Sequence, residues 1–317
     1  MKFLLYIPVA FIILLLSVVI INALYIKTNY YENSVKQIKK FTGGVPSDLD
    51  IINTGSSYAL YGLSYEGTGL KGFNFGLQPQ TLSYDFKILQ QFQKHLNENC
   101  IVLIVLPDLV FGFTDPENDH SNTKYYYFLD KERINNYSTM KYITKVKIPV
   151  LSASKKILHI IKDTKADNSY TLATNPYTPE QTEKQAEIRI NGWKKQFGLN
   201  NMITGDFSDS LQKAFDNNIK TVNEMIAFCL ENNFRPVLLV PPVSSILNSK
   251  YSKSFMDDVL YKNIKKANTQ SVPLLDYLYD ERFQDYNLYI NADLLNTTGR
   301  KKLTQAVIED LRKISYV

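Results

Sequence analysis

The sequence predicts an α/β protein, a central parallel sheet covered by helices on both sides in three layers, preceded by one transmembrane helix. Three observations lead there. An uncharged apolar run opens the chain, and short strand-like runs then alternate with helical stretches. Several of those runs are apolar at every position, as strands buried on both faces require.

After Met1 and Lys2, the run Phe3–Ile26 contains no charged residue. At 1.5 Å per residue it reaches roughly 36 Å, enough to cross a hydrocarbon core of about 30 Å with some tilt. A secretory signal has a shorter apolar core, about 7–15 residues, and ends in a small-x-small site. Ile20-Ile21-Asn22-Ala23-Leu24 is a poor one. Residues 1–26 are therefore expected to be an uncleaved, single-pass anchor in the cell membrane. Pro8 near its start and Asn22 near its far end are tolerable there. Two arguments about orientation oppose each other. Lys27, Lys36, Lys39 and Lys40 follow the helix while only Lys2 and the α-amine precede it, which by charge alone keeps the domain in the cytoplasm. Long domains, however, translocate largely regardless of charge.

With 317 residues, 44% of them hydrophobic and 13% aromatic, the chain has the composition of a packed body and not of a disordered one. The net charge of +5 is spread along the chain without forming a stripe, so nucleic acid is not an expected partner, whereas an anionic polymer or headgroup surface suits it. Cys100 and Cys229 each precede a predicted strand and form no C-x-x-C pair, so no metal site, redox motif or cofactor is expected. They read as buried free thiols, with a disulfide between them left open. His95 and His159 fall in helical patterns, and His120 in a polar loop.

Residues 27–47 continue as a polar stalk ending at Gly43-Gly44 and Pro46, and the domain proper is 48–317. Strands are predicted at Leu49–Asn53, Gly72–Phe75, Ile101–Leu106, Pro236–Val240 and Pro273–Asp276. Helices are predicted at Thr81–Asn97, Ser210–Asn232, Lys253–Asn268 and Arg300–Ile314. About 125 residues separate the third strand from the fourth, far more than one crossover needs, so a helical subdomain is expected at about 114–207. Its cluster Tyr125-Tyr126-Tyr127-Phe128-Leu129 reads as core or interface.

In an open parallel sheet, ligands bind beyond the carboxyl ends of the strands. After the first strand come Asn53-Thr54-Gly55-Ser56-Ser57-Tyr58. Gly55 allows a tight turn into a helix, and a serine held there presents an exposed hydroxyl near backbone donors, as acyl transfer requires. With Gly72-Phe73-Asn74-Phe75-Gly76-Leu77-Gln78 after the second strand, Val105-Leu106-Pro107-Asp108-Leu109 at the third, and Asn291-Ala292-Asp293-Leu294-Leu295-Asn296-Thr297-Thr298-Gly299 near the end, the segment resembles the SGNH (GDSL-like) hydrolase superfamily. The likeness is to its membrane-anchored branch, which acts outside the membrane in bacterial cell-envelope acylation. It implies an SGNH/flavodoxin-like sheet and an extracytoplasmic domain, with Ser57 as nucleophile. Gly55, Ser56, Asn74, Gly76 and Asp293 would line the substrate and oxyanion region. The implied partners are an envelope polysaccharide or teichoic-acid-like polymer and a membrane-bound O-acyltransferase.

The last block of that superfamily reads Asp-x-x-His-Leu-Asn-x-x-Gly. Aligned on Leu295-Asn296 and Gly299, Leu294 stands at the general base and Asn291 at the aspartate that orients it. A serine hydroxyl without a base is a poor nucleophile. Pro107–Phe113 lacks the asparagine that would complete an oxyanion hole, and a shifted register would put Pro79, which has no N–H, at the glycine donor. The expectation is a catalytically degenerate domain that acts by binding a polymer or assisting an acyltransferase. Two alternatives stand beside it: an active O-acyl esterase or acetyltransferase in which His120 serves Ser57, and a structural assembly subunit with a vestigial crevice. Asp293 otherwise reads as a turn or N-cap residue before the last helix.

Overall fold

The structure is a computed structural model that describes residues 2–115, 120–153 and 177–317. It divides into two compact units. One is built from the described parts of Met1–Gly44 and Pro116–Ser169, the other from Val45–Asp115 and Tyr170–Val317.

The second unit is the α/β body. Its sheet consists of β1 (Leu49–Asn53), β2 (Gly72–Asn74), β3 (Leu96–Val105), β4 (Arg235–Val240) and β5 (Leu274–Asp276), in the order β2-β1-β3-β4-β5. All pairings are parallel, with Ile51 opposite Gly72 and Ile101, and Leu103 opposite Val237. The strand order reverses between β1 and β3, the switch point at which doubly wound sheets leave a crevice. β3 starts five residues before the predicted Ile101, because Leu96 pairs with Leu49 across an irregularity between Leu49 and Ile51.

Alternate residues of the central strands supply both layers of core. Ile101, Leu103, Val105, Val237 and Leu239 join Ala59 of α2 (Ser57–Gly62) and Leu63 just after it on one face. Leu303, Val307 and Leu311 of α6 (Thr297–Lys313) pack into the same cluster. Val102, Ile104, Leu238 and Val240 are also buried, as the opposite layer demands. That layer is formed by α3 (Leu82–Phe92) and α5 (Asp209–Glu231), which pack on each other. Burying a Leu or Val side chain contributes about 1.5–3 kcal/mol, so this two-sided core is the main stabilising term.

Elements end where backbone chemistry stops them. α3 closes at Phe92, short of the predicted Asn97, because the chain tightens into a 3-10 turn at Gln93–His95 and enters β3. The helix expected over Lys253–Asn268 is broken by a π-type turn at Asp257–Tyr261. α6 begins three residues before the predicted Arg300, since Asn296 Oδ1 accepts from the Gly299 N–H at 3.0 Å and caps it. The capping role considered for Asp293 thus belongs to Asn296. α4 (Pro179–Phe197) lies in the expected insertion and starts with a capping box between Thr178 and Gln181.

The first unit contains α1 (Lys2–Tyr25), the polar segment after it, and residues 120–153. The span Tyr6–Tyr25 has a mean hydropathy of 2.8 and, apart from Tyr25 at its end, is not buried within the protein. It is long and apolar enough to cross a membrane, and its exposure distinguishes it from the core helix of a soluble protein. Tyr125, Tyr126 and Leu129 are buried, and Phe128 stacks on Phe41 with centroids 4.2 Å apart, so the tyrosine cluster is the core of this unit. Cys100 and Cys229 are free and buried. Burial pushes the Cys229 thiol up to about 12 and raises Cys100 as well.

Two glycines offer an opposed pair of predictions. A Cβ on Gly299 would stand 2.2 Å from the Leu288 carbonyl oxygen, whereas one on Gly192, inside α4, would meet nothing within 4 Å. Gly299→Ala is expected to lower the melting temperature of the α/β body sharply. Gly192→Ala is expected to raise stability by about 0.5–1 kcal/mol through helix propensity, both read by thermal denaturation.

Candidate functional site

β1 delivers its carboxyl end directly into a turn held by buried polar bonds. Gly55 has φ 123°, and a Cβ there would meet Ala59 Cβ at 2.8 Å and Val105 Cβ at 3.1 Å, so both conformation and space call for glycine. Its N–H donates to Asp85 Oδ1 at 2.7 Å, and its carbonyl accepts from Gln80 Nε2 at 3.1 Å. Gln80 also donates to Asp85, which ties the turn to the start of α3. Ser56 occupies the N-cap position without a capping side-chain bond, and Ser57 is the first residue of α2.

Ser57 is half-buried, and among the described residues nothing hydrogen-bonds its hydroxyl. Leu294, at the position the resemblance gives to the base, is 4% exposed and lies in the core. Asn291, at the orienting aspartate's position, has turned its Oδ1 onto the N–H groups of Asp293 (3.1 Å) and Leu294 (2.8 Å), so it shapes the loop. Ser244 fastens that loop to the segment after β4 through its bond to the Ala292 carbonyl at 2.7 Å. His120 opens a 3-10 helix in the first unit, and its side chain lies outside the described residues.

Asn74 and Gly76 come beside α2, but their polar groups are engaged within the protein. Asn74 Nδ2 donates to the carbonyls of Ala59 (2.8 Å) and Leu63 (2.9 Å). Its Oδ1 accepts from Asn53 Nδ2 at 2.9 Å and from the Gly76 N–H at 2.8 Å. Asn53 in turn accepts from Tyr65 Oη at 2.9 Å. The amide expected to serve as an oxyanion donor is thus committed to Asn74. A buried network of this kind loses about 1–3 kcal/mol for each group left unpaired, which explains its internal satisfaction.

The charged part of the crevice was less visible in the sequence. Asp293 is 3% exposed, and Arg189 of α4 places Nη2 at 2.6 Å from its Oδ2, near enough for an ion pair though off hydrogen-bond alignment. The Arg189 guanidinium also lies 5.8 Å from the Trp193 ring centroid. Tyr58, the residue after Ser57, contacts Asp108 Oδ2 through its hydroxyl at 3.5 Å, and Asp108 Oδ1 accepts from the Leu109 N–H at 3.1 Å. Burial pushes the Asp108 carboxyl up to about 7, and the nearby Asp293 charge adds to the shift. Burial also raises Asp293, and the Arg189 cation pulls it back. Burial drives the Tyr58 phenol well above its ordinary value, so it stays protonated as a donor. In the sequence Asp108 stands only within the Val105–Leu109 block, and Arg189 lies in the expected insertion, where the pattern of α4 does not single it out.

A carboxyl raised above its unfolded value keeps its proton in the fold at pH values where the unfolded chain has released it. Between about pH 4 and 7 the folded state therefore binds more protons, and the Asp108 contribution to stability falls as pH rises through that window. Asp108→Asn is expected to flatten this slope and to be more stable than wild type at pH 8 by on the order of 1–3 kcal/mol. Urea unfolding across pH 4–8 reads both effects.

Comparison with known proteins adds little at the level of sequence. No family model matches the chain, and no curated protein does. Among solved structures, the chain is similar to one from Bacteroides fragilis NCTC 9343 described as a "putative acylhydrolase", with a TM-score of 0.40 and 10% identity. That match covers 89% of this chain and 97% of the other. At this distance, fold and site are read from the chain's own geometry.

Proposed function

We propose that this chain is a membrane-tethered SGNH-like domain whose Ser57 crevice binds an acylated or anionic envelope polymer without appreciable turnover. The observation that carries the reading is the state of Ser57. Ser57 is half-buried at the end of β1, no side chain hydrogen-bonds its hydroxyl among the described residues, and a buried leucine stands at the base's position. Loss of such a base alone costs several powers of ten in rate.

Arg189 supports binding over hydrolysis. Its side chain is 40% exposed while paired to Asp293, and in this reading the guanidinium also meets an anionic ligand. In this reading the domain works outside the membrane beside an O-acyltransferase, holding the polymer on which the transferase acts.

Full-length protein in detergent is expected to leave Ser57 unlabelled by a fluorophosphonate probe, with ester hydrolysis unchanged in Ser57→Ala. Labelling of Ser57, or substantial hydrolysis abolished in Ser57→Ala, would overturn the proposal in favour of an active serine esterase. Binding has its own readout in Trp193, the chain's single tryptophan. Titration with an anionic envelope polymer should change its emission, and Arg189→Lys, which keeps the charge but loses the planar fork, should weaken the response.

A further inference from the structure

Within the first unit, residues 138–153 are docked on the far end of α1. The Val150 N–H donates to Asn22 Oδ1 at 3.2 Å, and Tyr25, Val150 and Ala153 form a small core with Tyr30, Tyr31 and Ile148 against it. The bond answers the one polar side chain in the last turn of the apolar run. It also fixes a height: Asn22 lies three residues before the helix end at Tyr25, about 4.5 Å along the axis. A segment held at that level of a spanning helix sits at the boundary between acyl chains and headgroups.

The segment's exposed side chains have the composition of that boundary. Met140 is 68% exposed, Leu151 49% and Ile143 38%. Lys141, Lys145 and Lys147 alternate with them, and no acidic residue occurs between Ser138 and Ala153. The stalk beside it carries four lysines, Lys27, Lys36, Lys39 and Lys40, against Glu32 alone. The segment is tied to that stalk. Tyr127 Oη donates to the Lys145 carbonyl at 2.9 Å and lies 3.4 Å from Tyr31 Oη. Its backbone is short turns of α, π and 3-10 type rather than one amphipathic helix, so helical periodicity does not reveal the pattern.

We propose that residues 138–153 form a membrane-surface collar around the foot of α1, with Met140, Ile143 and Leu151 inserted at the acyl boundary and the lysines against anionic lipid headgroups. The proposal rests on the reading that α1 spans the bilayer. Apolar side chains that would otherwise stay in water are covered by lipid, and lysines near an anionic surface are attracted to it. The collar also orients the unit, because a second contact beside the span removes its freedom to swivel.

Full-length protein in vesicles, with and without phosphatidylglycerol, tests this through an environment-sensitive fluorophore placed singly at Ile143→Cys, Leu151→Cys or Val9→Cys. The expected result is a blue-shifted emission at 143 and 151, quenched by a nitroxide near the headgroup and shielded from aqueous iodide. The Val9 label should be quenched by a nitroxide deep in the acyl chains. Phosphatidylglycerol should strengthen the effect at 143 and 151, and Lys141→Gln, Lys145→Gln and Lys147→Gln together should abolish that strengthening. Iodide-accessible labels at 143 and 151 with a deep Val9 label would overturn the collar while leaving the span. Labels at 143 and 151 shielded from both quenchers would assign the surface to a protein partner and overturn it equally. A Val9 label outside the bilayer would overturn the span and the collar together.

Discussion

The turn after β1 is the constraint on which the rest of the site depends. Gly55 can adopt its positive φ and lie against Ala59 and Val105 only because it has no side chain, and Asp85 and Gln80 then hold both of its backbone polar groups. Because the turn is held at both ends, α2 starts at Ser57, and its first turn lies over the carboxyl ends of β1 and β3. The same placement lets Asn74 reach the carbonyls of Ala59 and Leu63. A looser turn would free Ser57, but it would also leave Asn53 and Asn74 without their buried partners.

Around that turn, polarity is consumed inward. Asn74 and Gly76 bond each other, Asn291 bonds its own loop, and Asn296 caps α6. Ser57 keeps a hydroxyl that nothing hydrogen-bonds among the described residues, and the Arg189 side chain stays partly exposed. The carboxyl pair beneath them is asymmetric. Asp293 has the arginine beside it, whereas Asp108 contacts a tyrosine hydroxyl and a backbone N–H, and burial raises both. A carboxyl that holds its proton near neutrality avoids placing two charges in one dry pocket.

The first unit follows a different logic. Its small core is aromatic, and its polar bonds run from tyrosine hydroxyls to backbone groups. Such residues tolerate a medium that changes from water to headgroup within a few ångströms, because each offers an apolar ring and one hydrogen-bonding tip. Asn22, awkward in a hydrocarbon environment, is accommodated because Val150 presents its N–H there.

The long apolar N-terminal helix, the α/β class and the five strands were legible because each is written in local pattern: an uncharged run, residues apolar on both faces, and helical spacing between them. Strand ends moved by a few residues where pairing decided, as with Leu96 against Leu49. The Gly55–Ser57 turn was legible too, since a glycine and serines after a buried strand have few other uses. The roles of Asn74, Gly76 and Asn291 were not, because a side chain amide bonds ligand or backbone equally well and only packing chooses. Arg189 and Asp108 lie far apart in the chain and meet near Asp293 only after the sheet order places α4 and the end of β3 over one crevice. The collar was hidden for the same reason: its turns have no single period, and only the bond from Val150 to Asn22 brings them to the helix end. By itself the sequence determined which segments must leave water and which turn must bear glycine. The tertiary structure alone decided which polar groups satisfy one another, because that pairing depends on distances in space that local pattern does not encode.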